Sequence, residues 1–253
     1  MLGLLLLRRK RIDNFEKLTF LIMELKNKVA IITGSGVGIG RAIALAFADE
    51  GANVVVCSRT EKDFLETKRL VEKNSVECLA LKCDVSKITD VKNLIKKTVE
   101  KFGRIDVLVN NAAILGFRNL EESTIENIDR EIDINLKGVF YCMRESLPYL
   151  KKSSGIIINI SSGAGKHGFP GSSVYCATKF AVLGLTESLG QEFENVNVYA
   201  VCPGPVNTRM YRIISGEDAD LSGIRQPEEV ARVVVDVCRG KIKLGSGGNV
   251  DVR

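Results

Sequence analysis

The sequence predicts a doubly wound α/β fold in a single domain, a parallel sheet of about seven strands with helices on both faces. Three observations carry that expectation. Short β-branched runs, apolar on both faces, recur from residue 28 onward; helical periodicity fills the stretches between them; and a glycine-rich turn joins the first run to the first helix. Strands buried between two helical layers must be apolar on both faces. Strand–helix alternation then gives a parallel sheet with right-handed crossovers.

The runs are "KVAIIT", "NVVVCS", "CLALKC", "IDVLVN", "GIIINIS" and "VNVYAVC". Between the third and fourth, "ITDVKNLIKKTVEKFG" sets Val91, Leu94, Ile95, Val99 and Phe102 on one helical stripe, and Gly103 supplies the stop. No repeat, low-complexity tract or linker divides the chain, and 253 residues suit one α/β core.

Composition narrows the function. A hydrophobic share of 45% beside a charged share of 26% is that of a soluble globular protein, not a disordered one. Within residues 1–22, Arg8, Arg9, Lys10, Arg11 and Lys17 against Asp13 and Glu16 supply +3 of the net +5. The remainder is nearly neutral, so a nucleic-acid partner loses its electrostatic support. Seven cysteines are scattered without a CxxC pair or a Cys/His cluster, which predicts no metal site and a reducing, cytoplasmic compartment. The apolar run of "MLGLLLLRRKR" is too short to span a bilayer, and its charges follow the run instead of preceding it. "MELKNKVAIITG" reads straight into the first strand from Met23. Residues 1–22 are therefore expected to be an extension, and 23–253 the domain.

Polar and glycine-rich signatures then fall at the strand ends, where this architecture binds ligands. In "TGSGVGIG", residues 33–40, Gly34, Gly38 and Gly40 permit a tight turn and close approach of a ligand to the backbone. The helix that follows offers free N–H groups and a positive dipole end to a phosphate. The spacing is GxxxGxG, not GxGxxG, and it predicts a dinucleotide held along Gly34, Ser35, Gly38, Ile39 and Gly40. The second run ends in Ser58 and Arg59, where an NAD site places an acid. A guanidinium pairs with a 2′-phosphate, so NADP(H) is expected ahead of NAD unless Arg59 is simply a solvated turn residue. Asp84-Val85 end the third run, with Asp84 either an adenine-edge contact or the cap of a turn. Asn110, Asn111 and Ala112 follow the fourth, Ser161-Ser162-Gly163 the fifth, and "CPGPVNT" with Pro203, Gly204, Val206 and Thr208 the sixth. In "SSVYCATKFAVLGL" Tyr175 and Lys179 stand one helical turn apart on one face. Singly, each has a plainer reading: Ser162 a turn former, Asn135 a buried amide, Lys179 a solvated helix charge.

In the order "TGSGVGIG", "CDV", "NNAA", "INLKG", Ser162, "YCATK" and "PGPVNT", spanning residues 25 to about 235, the chain resembles the short-chain dehydrogenase/reductase family in its compact, single-domain, Rossmann-type form. Its general pattern is most similar to that of 3-oxoacyl-[acyl-carrier-protein] reductases. The resemblance implies a catalytic set of Asn135, Ser162, Tyr175 and Lys179. Tyr175 is then the general acid/base; Lys179 lowers its pKa and binds the nicotinamide ribose; Ser162 hydrogen-bonds the substrate oxygen; and Asn135 holds a water linking the lysine to solvent. It also implies cofactor contacts from Asn111, Ala112, Tyr175, Lys179, Pro203, Gly204, Val206 and Thr208, and a small-molecule ketone/secondary-alcohol substrate. A carrier-linked acyl chain fits that class, with Lys151 and Lys152 as an attraction for an acidic carrier. The alternatives are a general carbonyl, hydroxy-acid or sugar-alcohol dehydrogenase, or a non-catalytic NADP-binding regulator. A homodimer or homotetramer is implied through the helix beginning near Ile125 and the helix bearing Tyr175. Three departures stand out: Ala113 in place of the family's usual glycine, a short "RMYRIISGEDADLSGIRQ" that favours an open or small site, and the abbreviated C-terminus. His167 is expected on a surface loop, and Cys176 in packing.

Overall fold

Alternation along each strand builds two cores, one on either face of a single sheet. A computed structural model describes residues 22–252, and the extension expected over residues 1–22 lies, up to residue 21, outside the described residues. The strands are β1 (Val29–Thr33), β2 (Asn53–Ser58), β3 (Cys78–Lys82), β4 (Val107–Asn110), β5 (Ile156–Ile160), β6 (Asn197–Pro203) and β7 (Asn249–Val252). The helices are α1 (Gly38–Asp49), α2 (Glu61–Val71), α3 (Ile88–Phe102), α4 (Ile125–Ile132), α5 (Gly138–Ser153), α6 (Ser173–Glu192), α7 (Arg209–Ser215) and α8 (Pro227–Cys238).

In β1, Ala30 and Ile32 join Val54, Val56, Val109 and Ile158 in one core, which Phe47 of α1, Phe64 of α2 and Val234 of α8 close. Val29 and Ile31 join Val55, Cys57, Leu108 and Ile157 in the other, closed by Leu94 of α3, Met143 of α5 and Val182 of α6. The period of two along each strand thus feeds both layers, as the doubly apolar runs predict. All six predicted strands form. So does the helix stripe of α3, which ends at Gly103 with φ of 71° and the Gly103 N–H bonded to the Val99 carbonyl. The short closing segment supplies β7, pairing residues 249–252 with 200–203 and covering the edge of β6. All seven cysteines are buried and free.

The sheet is parallel throughout, in the order β3-β2-β1-β4-β5-β6-β7. Its winding reverses between β1 and β4, and at such a switch point the loops diverge and leave a crevice at the carboxyl ends of the strands. Between α4 and α5 the helix runs through a π-helical stretch, Asp133–Lys137, in which Ile134 and Asn135 are buried. No helix among the described residues is long and apolar enough to cross a membrane.

Candidate active site

The crevice is a cleft of about 1000 Å³ at the carboxyl ends of the strands, lined by every predicted site residue except Ser35 and Asn135. On its β1 side the wall is main chain. Gly34 has φ of 64° and Gly38 φ of 56°, backbone that L side chains rarely adopt. A Cβ on Gly34 would lie 2.8 Å from the Ala112 Cα, and one on Gly40 would run into the Gly34 carbonyl oxygen and the Asn111 amide. α1 begins with no side-chain cap and no acid in its first turn, so its leading N–H groups face the cleft uncommitted. This cradle fits the pyrophosphate of a dinucleotide, because a turn kept bare of side chains at its glycines lets the ligand approach the main chain and the free N–H groups that open α1.

Side chains behind the cradle hold its shape. Thr33 Oγ1 accepts from the main-chain N–H groups of Asn111 (3.0 Å) and Ala112 (3.1 Å), and Asn111 Nδ2 donates to the Thr33 carbonyl at 2.9 Å. Asn110 is bound to Asn159 on β5 instead. Ser35 corrects the sequence reading. Its hydroxyl donates to the Ile32 carbonyl (2.8 Å), accepts from Cys57 N (2.9 Å) and is fully buried, so it welds β1 to β2 and does not face the cleft. Ala113 keeps negative φ, so its departure from glycine carries no backbone strain.

Farther along, Ser58 and the exposed Arg59 line the cleft at the end of β2, with Ser58 Oγ donating to the Thr60 carbonyl. The Asp84 carboxylate accepts from Ser86 N (3.1 Å) and Ser86 Oγ (2.7 Å), which is the turn-capping reading; Asp84 and Val85 still line the cleft. Pro203, Gly204, Val206 and Thr208 close the far side, the Thr208 methyl lying against Gly38. The segment from Arg209 winds into α7 and leaves the cleft open rather than small.

The β5 wall is made of buried polar side chains. Lys179 is 3% exposed and donates from Nζ to the Ile160 carbonyl at 2.8 Å, with Nζ 5.5 Å from the centre of the Tyr175 ring. Burial pushes its pKa down to about 8. Burial pushes the Tyr175 phenol up to about 12, and a hydrogen bond from Ser162 opposes the rise. In the chain alone desolvation sets the direction for Tyr175, and Lys179 is not among the groups that shift it. Ser162 Oγ also accepts from Ala164 N at 3.1 Å. Asn135, 1% exposed, is spent on structure: its Oδ1 accepts from Ile114 N (2.8 Å), and its Nδ2 donates to the Ile114 carbonyl (2.9 Å) and Thr178 Oγ1 (3.3 Å). Its side chain thus pins the loop after β4. His167 is exposed and Cys176 buried, as expected.

A family profile described as short chain dehydrogenase matches residues 28–218. The chain belongs to the short-chain dehydrogenase family. Among relatives of this short-chain dehydrogenase, an uncharacterized oxidoreductase of Thermotoga maritima is 38% identical over 213 residues, covering 83% of this chain and 82% of that one. The 3-oxoacyl-[acyl-carrier-protein] reductase FabG of Staphylococcus epidermidis is 37% identical over 237 residues, 89% of this chain and 97% of that one. The crystal structure of levodione reductase superposes with a TM-score of 0.83 at 28% identity, over 89% of this chain and 96% of that chain. The protein is thus an oxidoreductase of a family that binds a nicotinamide cofactor.

Several cleft residues escape sequence reasoning. Arg41 braces the glycine turn, its Nη2 donating to the Gly36 carbonyl at 2.6 Å and to Glu66 at 3.2 Å. A cation in the first turn of a helix opposes the dipole, and that misplacement was the available signal. Leu115, Phe117, Phe169, Met210 and Ile214 shape the outer cleft with no sequence spacing to announce them.

Proposed function

We propose that this short-chain dehydrogenase reduces a ketone to a secondary alcohol with NADPH, and runs the reverse oxidation, using Ser162, Tyr175 and Lys179. The observation that carries the reading is the convergence of those three side chains on the cleft wall facing the glycine cradle. Bound there, the nicotinamide supplies or takes up the hydride. Tyr175, whose phenol stays protonated at neutral pH, gives its proton to the substrate oxygen. Ser162 donates a hydrogen bond to the same oxygen as charge develops there. Lys179, cationic below about pH 8, faces the phenolate that Tyr175 becomes. Asn135 sets the loop that carries the opposite wall.

Arg59 at the end of β2 supports NADP(H), its guanidinium matching a 2′-phosphate. Asp63 shares that end of the cleft, and its carboxylate opposes a 2′-phosphate there. For the substrate, the relatives named 3-oxoacyl-[acyl-carrier-protein] reductase support a β-keto thioester on an acidic carrier. Lys151 and Lys152, expected to attract it, end the helix that feeds the amino end of β5, away from the cleft in the same chain. Arg209 and Arg212, by contrast, line the cleft itself, as Arg41, Arg59 and Lys179 do. Phe117, Phe169 and Ile214, respectively 44%, 53% and 45% exposed around the mouth, favour a substrate with an apolar body over a sugar alcohol. Exposed Ile125, Phe140 and Phe180 on α4, α5 and α6 support a homodimer or homotetramer.

The test is turnover, followed by nicotinamide absorbance, of NADPH with β-keto thioesters, α-diketones and keto sugars. Consumption with the thioesters or diketones is the expected result. Tight NADPH binding with no turnover on any compound would support a non-catalytic regulator instead.

A further inference from the structure

Glu131, on α4, is 3% exposed, and its Oε2 has no hydrogen-bond partner. A half-satisfied carboxyl in a packed helix face is expensive, and a leucine there would avoid the cost. What the carboxyl does lie against is the Gly116 main chain, with the Arg118 guanidinium close by. The approach is tight enough that a Cβ on Gly116 would run into Glu131 Oε1 and Arg118 Nη1. Gly116 sits in the loop that leaves β4, and Ala112, Leu115 and Phe117 of that loop wall the cleft. The same loop is fixed at Ile114 by Asn135, one turn along from Glu131, and at Arg118 by a 2.8 Å bond from its N–H to the Gly171 carbonyl. Gly171 lies four residues before Tyr175.

We propose that Glu131 is a positioning residue, the middle of three clamps that fix the substrate-side wall relative to Tyr175 by holding Gly116. Ile114 and Arg118 alone leave the Leu115–Phe117 stretch tied only at its ends. With the carboxyl in place, the side chains that meet the substrate's apolar body are held in one arrangement before it arrives. The role is distinct from that of Asn135, which holds the neighbouring turn of the loop.

The kinetic half of the test rests on the carbonyl-reductase reading, and the exchange half does not. In Glu131→Leu, hydrogen exchange at the amides of residues 115–117 should speed up about tenfold or more. KM for the carbonyl compound should rise about tenfold while kcat stays within about threefold. Glu131→Gln keeps an oxygen against the Gly116 main chain and should restore both to near wild type. Gly116→Ala, which drives a methyl group into the same carboxyl, should reproduce the rise in KM and keeps the question decidable if the leucine variant does not fold. Wild-type exchange and KM in Glu131→Leu, a glutamine variant as impaired as the leucine one, or an unchanged KM in Gly116→Ala overturns the proposal. If wild type turns over no carbonyl compound, the functional reading fails while the exchange rates still decide the clamp.

Discussion

On the β1 side the cleft is walled by backbone. Gly34 and Gly40 leave no room for a Cβ, Gly38 holds a positive φ, and Thr33 and Asn111 fix the turn from behind. On the β5 side it is walled by buried ionisable groups, namely a lysine at 3% exposure whose charge burial disfavours and a phenol that burial keeps protonated. The first wall fails when something is added and the second when something is taken away. Binding a phosphate needs only shape and N–H groups, whereas moving a proton needs ionisable side chains kept in a poor solvent for charge.

The contrast breaks most visibly at Gly40. Gly40→Ala forces a methyl group against the Gly34 carbonyl, and we expect loss of measurable NADPH binding together with about 3 kcal/mol of stability by chemical denaturation. Retained NADPH affinity in a folded Gly40→Ala protein would remove the steric argument for the cradle.

Lys179→Met is next, and it should separate activity from stability. We expect kcat to fall about 10²–10³-fold with a melting temperature equal to or above wild type. Folding lowers the lysine's pKa from 10.5 to about 8, so below pH 8 the native state carries a buried charge that the unfolded chain carries in water. The contribution is unfavourable below about 8 and fades as pH rises to 10.5, which makes the variant's gain largest at neutral pH. In wild type, the reduction rate should fall as pH rises through about 8 and the lysine loses its proton. A Lys179→Met protein clearly less stable than wild type at pH 7 would show that the Ile160 hydrogen bond outweighs desolvation.

The smallest effect is expected at the open edge of the first wall. Ser58→Asp with Arg59→Leu should shift the ratio of kcat/KM for NADPH over NADH by about tenfold toward NADH. A wild type that already prefers NADH would reverse the reading of Arg59.

The sheet was legible because each strand is apolar on both faces and each helix on one, and both patterns survive in the order of residues. The backbone wall was legible for a related reason: glycines needed for close approach lie within eight residues of one another. The β5 wall yielded its residues through the YxxxK spacing and the family resemblance, but not their energetics. Whether Lys179 lowers the Tyr175 pKa depends on how much water both lose, and burial is a property of packing. Ser35 and Asn135 stand in the sequence as a cofactor position and a catalytic position, and the fold spends both side chains on holding its own backbone. Glu131, Arg41 and the aromatic mouth at Phe117 and Phe169 come from segments far apart in sequence, and no local pattern brings them together.

The central claim is that one wall binds and the other reacts. It is tested most directly by measuring, on the same preparation of Tyr175→Phe, the affinity for NADPH and the turnover of a carbonyl compound that wild type reduces. We expect affinity within about threefold of wild type and a loss of at least about 10³-fold in kcat, the share expected of a positioned proton donor. Turnover near the wild-type rate, or NADPH affinity lost along with it, would contradict the account.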